Sequence, residues 1–269
     1  ETAERIASVI EEVGYQPDAD NPAISSNAAP RIGVLVPSFN NQIFSDVLAG
    51  IESVTTAHGY QTLVVNYDYD SQREEEQIAT VLALNVKALL LTESVHTLRA
   101  EKYLKAAKIP VAEVMGLSDN ADRINVGFDN YRAGLDMTNM LLASGKKQII
   151  YFGSMSDIRD EQRYAGYCRA MEEAGLAVGR IAPNKVSSVS IGTGMMTLAR
   201  QMYKEMDAIL CTNDDLAVGV LQECIASGIT VPQEMAIAGF HGLEIGQVVS
   251  PRLASVLTPR FEMGKVATE

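Results

Sequence analysis

The chain has no tryptophan, only three histidines and three cysteines in 269 residues, and 6% aromatic content. Each scarcity removes an explanation. Cys168, Cys211 and Cys224 are odd in number, far apart and set in apolar stretches, which excludes a disulfide framework and a thiolate metal site. They read as reduced core thiols. His58, His96 and His241 have no second His, Cys or carboxylate at metal-ligand spacing, so no metal and no cofactor is expected. No run approaches the roughly 18 apolar residues of a membrane span. No basic segment leads into an apolar core as a secretion signal would. Positive charge is short as well: 22 Lys and Arg face 34 Asp and Glu, a net charge of −12 that repels a phosphate backbone. The expectation is a reduced, cytoplasmic protein.

What the chain does have is 47% hydrophobic residues, enough for one or two substantial cores. From residue 31 onward, short apolar runs alternate with segments of helical period. RIGVLV, QTLVVN, VKALLL, QIIYFG and AIAGF read as strands, with further strands over 109–114, 208–211 and 253–257. Helices are predicted over 44–58, 73–84, 98–107, 130–143, 161–174, 194–203 and 214–226, several stopped by a glycine. Strands apolar throughout and joined by helices imply parallel sheets covered on both faces. About ten strands is too many for one open sheet. The turn signals Ser144-Gly145-Lys146-Lys147 mark a break. The predicted fold is α/β, with two doubly wound parallel-sheet lobes: one over 31–146, one over 147–258, and a return to the first over 259–269.

In such sheets ligands sit at the carboxyl ends of the strands. No Gly-x-Ser-x-Gly elbow, phosphate loop or nucleophile–base pair stands there, so no catalytic residue and no enzyme is predicted. Asp214-Asp215 opens a helix, where a capping carboxylate is the ordinary explanation. Glu74-Glu75-Glu76 reads as a solvated helix face, His58 as a helix-end residue and His96 as a surface loop residue. The strand ends do carry binding chemistry. Asn41, Thr92, Glu93, Asp129, Asn213 and His241 suit vicinal hydroxyls, and Phe44 offers a flat apolar wall. Arg159 and Arg163 suit an anionic group, because a guanidinium grips a carboxylate or phosphate in a planar fork.

Four stretches carry a family resemblance. RIGVLVPSFNNQIFSDVLAGIE resembles the first strand and helix of the effector domain of the LacI/GalR transcriptional repressors. INVGFDNYRAG resembles the crossover after their first sheet. DAILCTNDDLAVGVLQECIASGITVPQEMAIAGFHG resembles their long signature, and PRLASVLTP their late strand. Within the family the likeness is greatest to the gluconate-utilisation repressors. The resemblance implies that residues 1–30 are the remnant of a helix-turn-helix headpiece followed by the hinge, with Ile24 where the family inserts a leucine into the DNA minor groove. Pro22, Asp18 and Asp20 depart from the usual hinge.

By the same resemblance, Asn41, Phe44, Thr92 and Asp129 line the effector cleft from the first lobe, with Glu93 beside Thr92. Arg163 and Asn213 line it from the second, with Arg159 in the approach to the Arg163 helix. His241 stands where many members carry Asp, a departure that suits an acid. The implied protein is a homodimeric repressor, paired through the helix over 44–58 and residues 221–227. It binds operator DNA, and a sugar acid of gluconate or phosphogluconate type controls it allosterically. The rival expectation is the solute-binding protein of a sugar transporter, which shares the fold.

Overall fold

The computed structural model describes residues 29–118, 120–155 and 157–269; Ile24 and nearly all of the expected headpiece and hinge lie outside them. The first lobe begins with β1 (Arg31–Val36), α1 (Ile43–Ala57), β2 (Gln61–Asn66), α2 (Ser71–Ala83) and β3 (Ala88–Leu91). It continues with α3 (Leu98–Ala107), β4 (Val111–Val114) and β5 (Ile124–Val126). Then come α4 (Asn130–Ala143), β6 (Ile149–Phe152), α5 (Ile158–Glu173), β7 (Arg180–Ile181) and α6 (Val189–Met202). The chain ends with β8 (Ala208–Cys211), α7 (Asp214–Ala226), β9 (Ala236–His241), α8 (Glu244–Val248), β10 (Ala254–Leu257) and α9 (Arg260–Thr268).

The strands make two five-stranded sheets, ordered β2-β1-β3-β4-β5 and β10-β9-β8-β6-β7, with every pairing parallel. Successive strand residues are buried on opposite faces, which explains the continuous apolar runs. In the first sheet Val34, Val36 and Val114 pack under α1 and α9, while Leu35, Leu89 and Val111 pack under α2 and α3. In the second, Tyr151, Leu210 and Phe240 face α4 and α5, while Phe152, Ile209 and Ile237 face α6 and α7.

The lobe boundary differs from the one expected at 146. Met137 and Leu141 of α4 are buried with Tyr151, Tyr167 and Met171, so α4 belongs to the second lobe and the chain crosses at residues 127–129. The Ser144-Gly145 signal is only the stop of α4, with Gly145 at φ 93°. The short strands β5 and β7 and the helices α8 and α9 carry too little apolar pattern to be read from sequence. Helix α6 starts at Val189, five residues before the predicted start, because Ser188 caps it by accepting from the Ile191 amide at 3.2 Å.

Helices α4 and α5 approach until their backbones touch. A Cβ on Gly134 would lie 2.3 Å from the Arg163 carbonyl oxygen, and one on Gly166 would lie 2.1 Å from that of Tyr131. The contact fixes α5 against α4 at the residue that carries the Arg163 side chain.

Two surface expectations fail in the first lobe. Glu74 and Glu75 are buried, and so is the His96 side chain. The His96 Nδ1 lies 3.0 Å from Glu74, its Nε2 lies 3.6 Å from Glu113, and Arg123 bridges Glu113 and Glu101. Residues far apart in sequence meet here, and no helical period announces it. Burial pulls the His96 pKa down, but the Glu113 and Glu74 carboxylates on either side of the ring outweigh it and hold the value at about 9. A value raised above that of the unfolded chain stabilises the fold fully below pH 6.5 and is lost as pH climbs through 9. Denaturant titrations should show the wild type losing about 3 kcal/mol across that window. His96→Gln should be less stable at neutral pH and nearly flat over the same window; an equal slope in both proteins would count against a charged His96.

Candidate functional site

The cleft between the lobes is built from strand ends and the helix starts that follow them. From the first lobe, the loop after β1 supplies Asn41, the first turn of α1 supplies Phe44, and the loop after β2 supplies Tyr69. Asn41 donates from Nδ2 to the Tyr69 hydroxyl at 3.1 Å, and its Oδ1 accepts from the Ile43 amide at 3.2 Å. From the second lobe come Asp157, Arg159, Asp160 and Arg163 around the start of α5, Thr212 and Asn213 after β8, and His241 at the end of β9. Asp157 caps α5 and Asn213 caps α7, accepting from the Leu216 amide at 3.1 Å. The Asn213 amide nitrogen makes no hydrogen bond among the described residues, so it can donate to a ligand. The space open to water deep in the cleft is about 40 Å³, which holds a few waters.

Arg159 ties the lobes together. Its Nη1 donates to the Thr92 carbonyl and its Nη2 to Glu93 Oε1, both at 2.8 Å, while Asp157 lies 3.3 Å away on its own side. The Tyr67 hydroxyl backs the pair from the first lobe, 2.9 Å from Glu93 and 3.0 Å from the Thr92 hydroxyl. Burial raises the Glu93 pKa, and the Arg159 charge opposes that rise. Burial pushes the Asp157 carboxyl the same way, but Arg159 and Arg163 overcome it and hold the value low.

Arg163 is placed differently. It is 5% exposed, its Nε donates to Asn130 Oδ1 at 2.9 Å, and its Nη1 donates to the Thr212 carbonyl at 2.6 Å. Its guanidinium carbon sits 4.7 Å from the centre of the Phe240 ring. Among the described residues no carboxylate comes within ion-pairing distance of it. Burial accordingly lowers its pKa from the ordinary arginine value, although Tyr151 and Asp157 push the other way. A buried cation held only by neutral groups is a strong anion site.

His241 is 1% exposed and adopts φ 95°, a conformation costly for a residue with a side chain. Burial, reinforced by Arg163 and Arg260, drives its pKa well below the usual imidazole value, so the ring is neutral. Nδ1 lies 3.2 Å from the Thr258 hydroxyl, which itself accepts from Arg260 at 3.1 Å. Arg260 also binds the His241 carbonyl and pairs with Asp46 of α1. The imidazole is thereby locked without acquiring a charge.

Asn41, Phe44, Arg159, Arg163, Asn213 and His241 therefore line one cleft, and Thr92 and Glu93 lie behind it on Arg159. Asp129 does not join them. It is exposed, caps α4 by accepting from the Arg132 amide at 2.8 Å, and lines a separate apolar groove with Met137 and Met140. Its neighbour Asn130, the first residue inside α4, is buried and reaches Arg163 instead. Tyr69, Asp157, Asp160 and Thr212 were not singled out from the sequence. Asp157 alone left a signal, as a capping residue ahead of an acidic first turn.

Asp214 serves the frame rather than the ligand. Its oxygens accept from the Leu243 amide at 2.6 Å and the Ser255 hydroxyl at 2.7 Å, stitching β9 and β10 to α7. Burial lifts its pKa to about 6 in spite of those bonds. The protonated acid is thus favoured in the fold, and that contribution is present below the unfolded chain's value of 3.8 and lost as pH rises through about 6. Relative to Asp214→Asn, the wild type should lose about 2–3 kcal/mol of stability on going from pH 4 to pH 7. Parallel chemical-denaturation curves at the two pH values would rule that out.

A family model for periplasmic binding proteins and the sugar binding domain of the LacI family matches residues 29–269. The HTH-type transcriptional regulator IdnR of Escherichia coli K12 is 45% identical over 270 residues, which span 100% of this chain and 81% of that protein. The HTH-type transcriptional regulator GntR of the same strain is 47% identical over 266 residues, 98% of this chain and 80% of the relative. The solved structure of transcription regulator GntR from Chromobacterium violaceum superposes with a TM-score of 0.86 at 35% identity, covering 88% of each chain. That of a LacI family regulator from Silicibacter pomeroyi gives 0.91 at 28% identity, over 98% of this chain and 80% of that one. The sheets, the cleft and these relatives agree: the chain belongs to the LacI family of transcriptional regulators, and carries its effector-binding domain.

Proposed function

We propose that this protein is a cytoplasmic transcriptional repressor whose effector is a sugar acid of gluconate type, bound with its acidic group on Arg163. The observation that carries this reading is the buried Arg163 guanidinium, which meets neutral partners only. A ligand carboxylate beside it would form the ion pair that the described residues leave unmade. Neutral His241 next to it can donate a hydrogen bond, where a carboxylate would repel the ligand. Asn41, Tyr69 and Asn213 are placed for the hydroxyls of the chain, and Phe44 for its CH face.

Binding draws the two lobes to a new relative angle, because the ligand touches both. In a two-fold dimer that rotation reaches the segment leading to the DNA-binding headpiece and changes operator affinity. We place the dimer contacts on α1 and the end of α7, where Ile225 is 50% exposed and Val248 of the adjoining α8 73% exposed.

Calorimetry with gluconate and glucose tests the reading. Wild type should prefer the acid. Arg163→Ala should lose about 2–5 kcal/mol for the acid, roughly 30- to several-thousand-fold, and keep little preference. Arg163→Lys should recover only part, since a point charge does not reproduce the planar fork. His241→Asp should also erase the preference by setting a negative charge beside the ligand. Tighter binding of the neutral sugar by wild type, with Arg163→Ala weakening both solutes alike, would overturn the sugar-acid assignment.

A further inference from the structure

We infer that Asn130 is a positioning residue that relays the state of Arg163 to the crossing between the lobes. It rests on the reading of Arg163 as the effector's anion anchor. Among the described residues, the Asn130 side chain bonds Arg163 on one side and both strands of the crossing on the other. Its Oδ1 accepts from Arg163 Nε at 2.9 Å, and its Nδ2 lies 3.4 Å from the carbonyls of both Met115 and Phe128. It is 1% exposed, so bulk water does not compete for these bonds.

Each end of the relay is stiff. Four residues along α4, on the same face as Asn130, Gly134 packs on the Arg163 backbone, so helix and side chain move with Arg163 together. At the other end Met115 is fully buried with φ 82°, a strained conformation for a non-glycine residue. Its amide donates to the Val126 carbonyl at 3.1 Å, and a Cβ on Gly127 would lie 2.2 Å from the Gly116 carbonyl oxygen. The two strands of the first lobe therefore meet in direct backbone contact where the chain leaves it, and Asn130 donates to the carbonyls on either side of that contact. A shift of the Arg163 guanidinium toward a ligand anion changes the hold of Asn130 Oδ1. The same amide plane then carries the change to Met115 and Phe128.

The two sides of the amide can be separated. Asn130→Ala removes both. Asn130→Asp keeps an acceptor for Arg163 and loses the donor to the crossing. Hydrogen exchange at the amides of Met115, which donates to the Val126 carbonyl, and of its neighbours in β4 and β5 reads the crossing directly, with or without ligand. Arg163→Ala should speed those amides about tenfold, and Asn130→Ala should do the same. The double variant should be no faster than either one, and Asn130→Asp should match Asn130→Ala at the crossing. With gluconate, wild type should gain protection there; Asn130→Ala should still bind it, within about tenfold, without gaining protection. Additive rates in the double variant overturn the relay, as does wild-type protection by gluconate in Asn130→Ala. A merely structural Asn130 would lower the melting temperature and leave the two effects additive. If wild type binds no sugar acid, the effector assignment fails, and the ligand-free comparison still decides the relay.

Discussion

Everything in the cleft is organised around one buried guanidinium. Arg163 is held by an amide, a backbone carbonyl and an aromatic face, none of them charged. Removing a cation from water without a counter-charge is costly, and the surrounding structure shows how that cost is contained. The α4–α5 backbone contact fixes the helix, Thr212 and Asn130 fix the head group, and Phe240 supplies a polarisable surface beneath it. The acids nearby are engaged elsewhere: Asp157 with Arg159, and Asp160 with Arg180 and the Tyr151 hydroxyl. The acids of this site are already paired, and the Arg163 cation is not.

Two other arginines join segments that are far apart in the chain. Arg159 reaches across the cleft to Thr92 and Glu93, so lobe closure and an ion pair form together. Arg260, just after the chain returns to the first lobe, joins Asp46 of α1 to the His241 carbonyl and the Thr258 hydroxyl. One joins the two lobes, and the other holds the ring that lines the cleft. Their shared chemistry, a planar fork of donors, lets each satisfy carbonyls and a carboxylate at once. Lysine would give up that geometry at either place.

Most of the architecture was legible in the residues. Apolar strands such as RIGVLV and QIIYFG bury both faces, and that requires parallel sheets with helical crossovers. Helix stops at Gly59, Gly175 and Gly228 have positive φ, as a glycine stop implies. The strand-end rule brought Asn41, Phe44, Arg159, Arg163, Asn213 and His241 to one cleft. What failed was anything that depends on which side of an element faces its neighbours. Asp129 and Asn130 are adjacent, yet one is an exposed cap and the other is buried on Arg163. The Glu74–His96–Glu113 cluster joins three separate segments, and each is unremarkable alone.

The sequence by itself determined the class of fold, the absence of a catalytic constellation in its motifs and the set of polar groups at the strand ends, because these follow from local period and from topology. Tertiary structure alone decided that α4 crosses to the second lobe, since only packing against Tyr151 and Tyr167 chooses its partner sheet. It alone decided which arginine is paired and which is not. The two arginines lie one turn apart on α5, and both have acids within three residues in the sequence. The difference is that Glu93 from the other lobe and Asp157 at the helix start both reach Arg159, and neither comes within ion-pairing distance of Arg163. Charge pairing is a matter of distance through space, and that distance is set only when the two lobes come together.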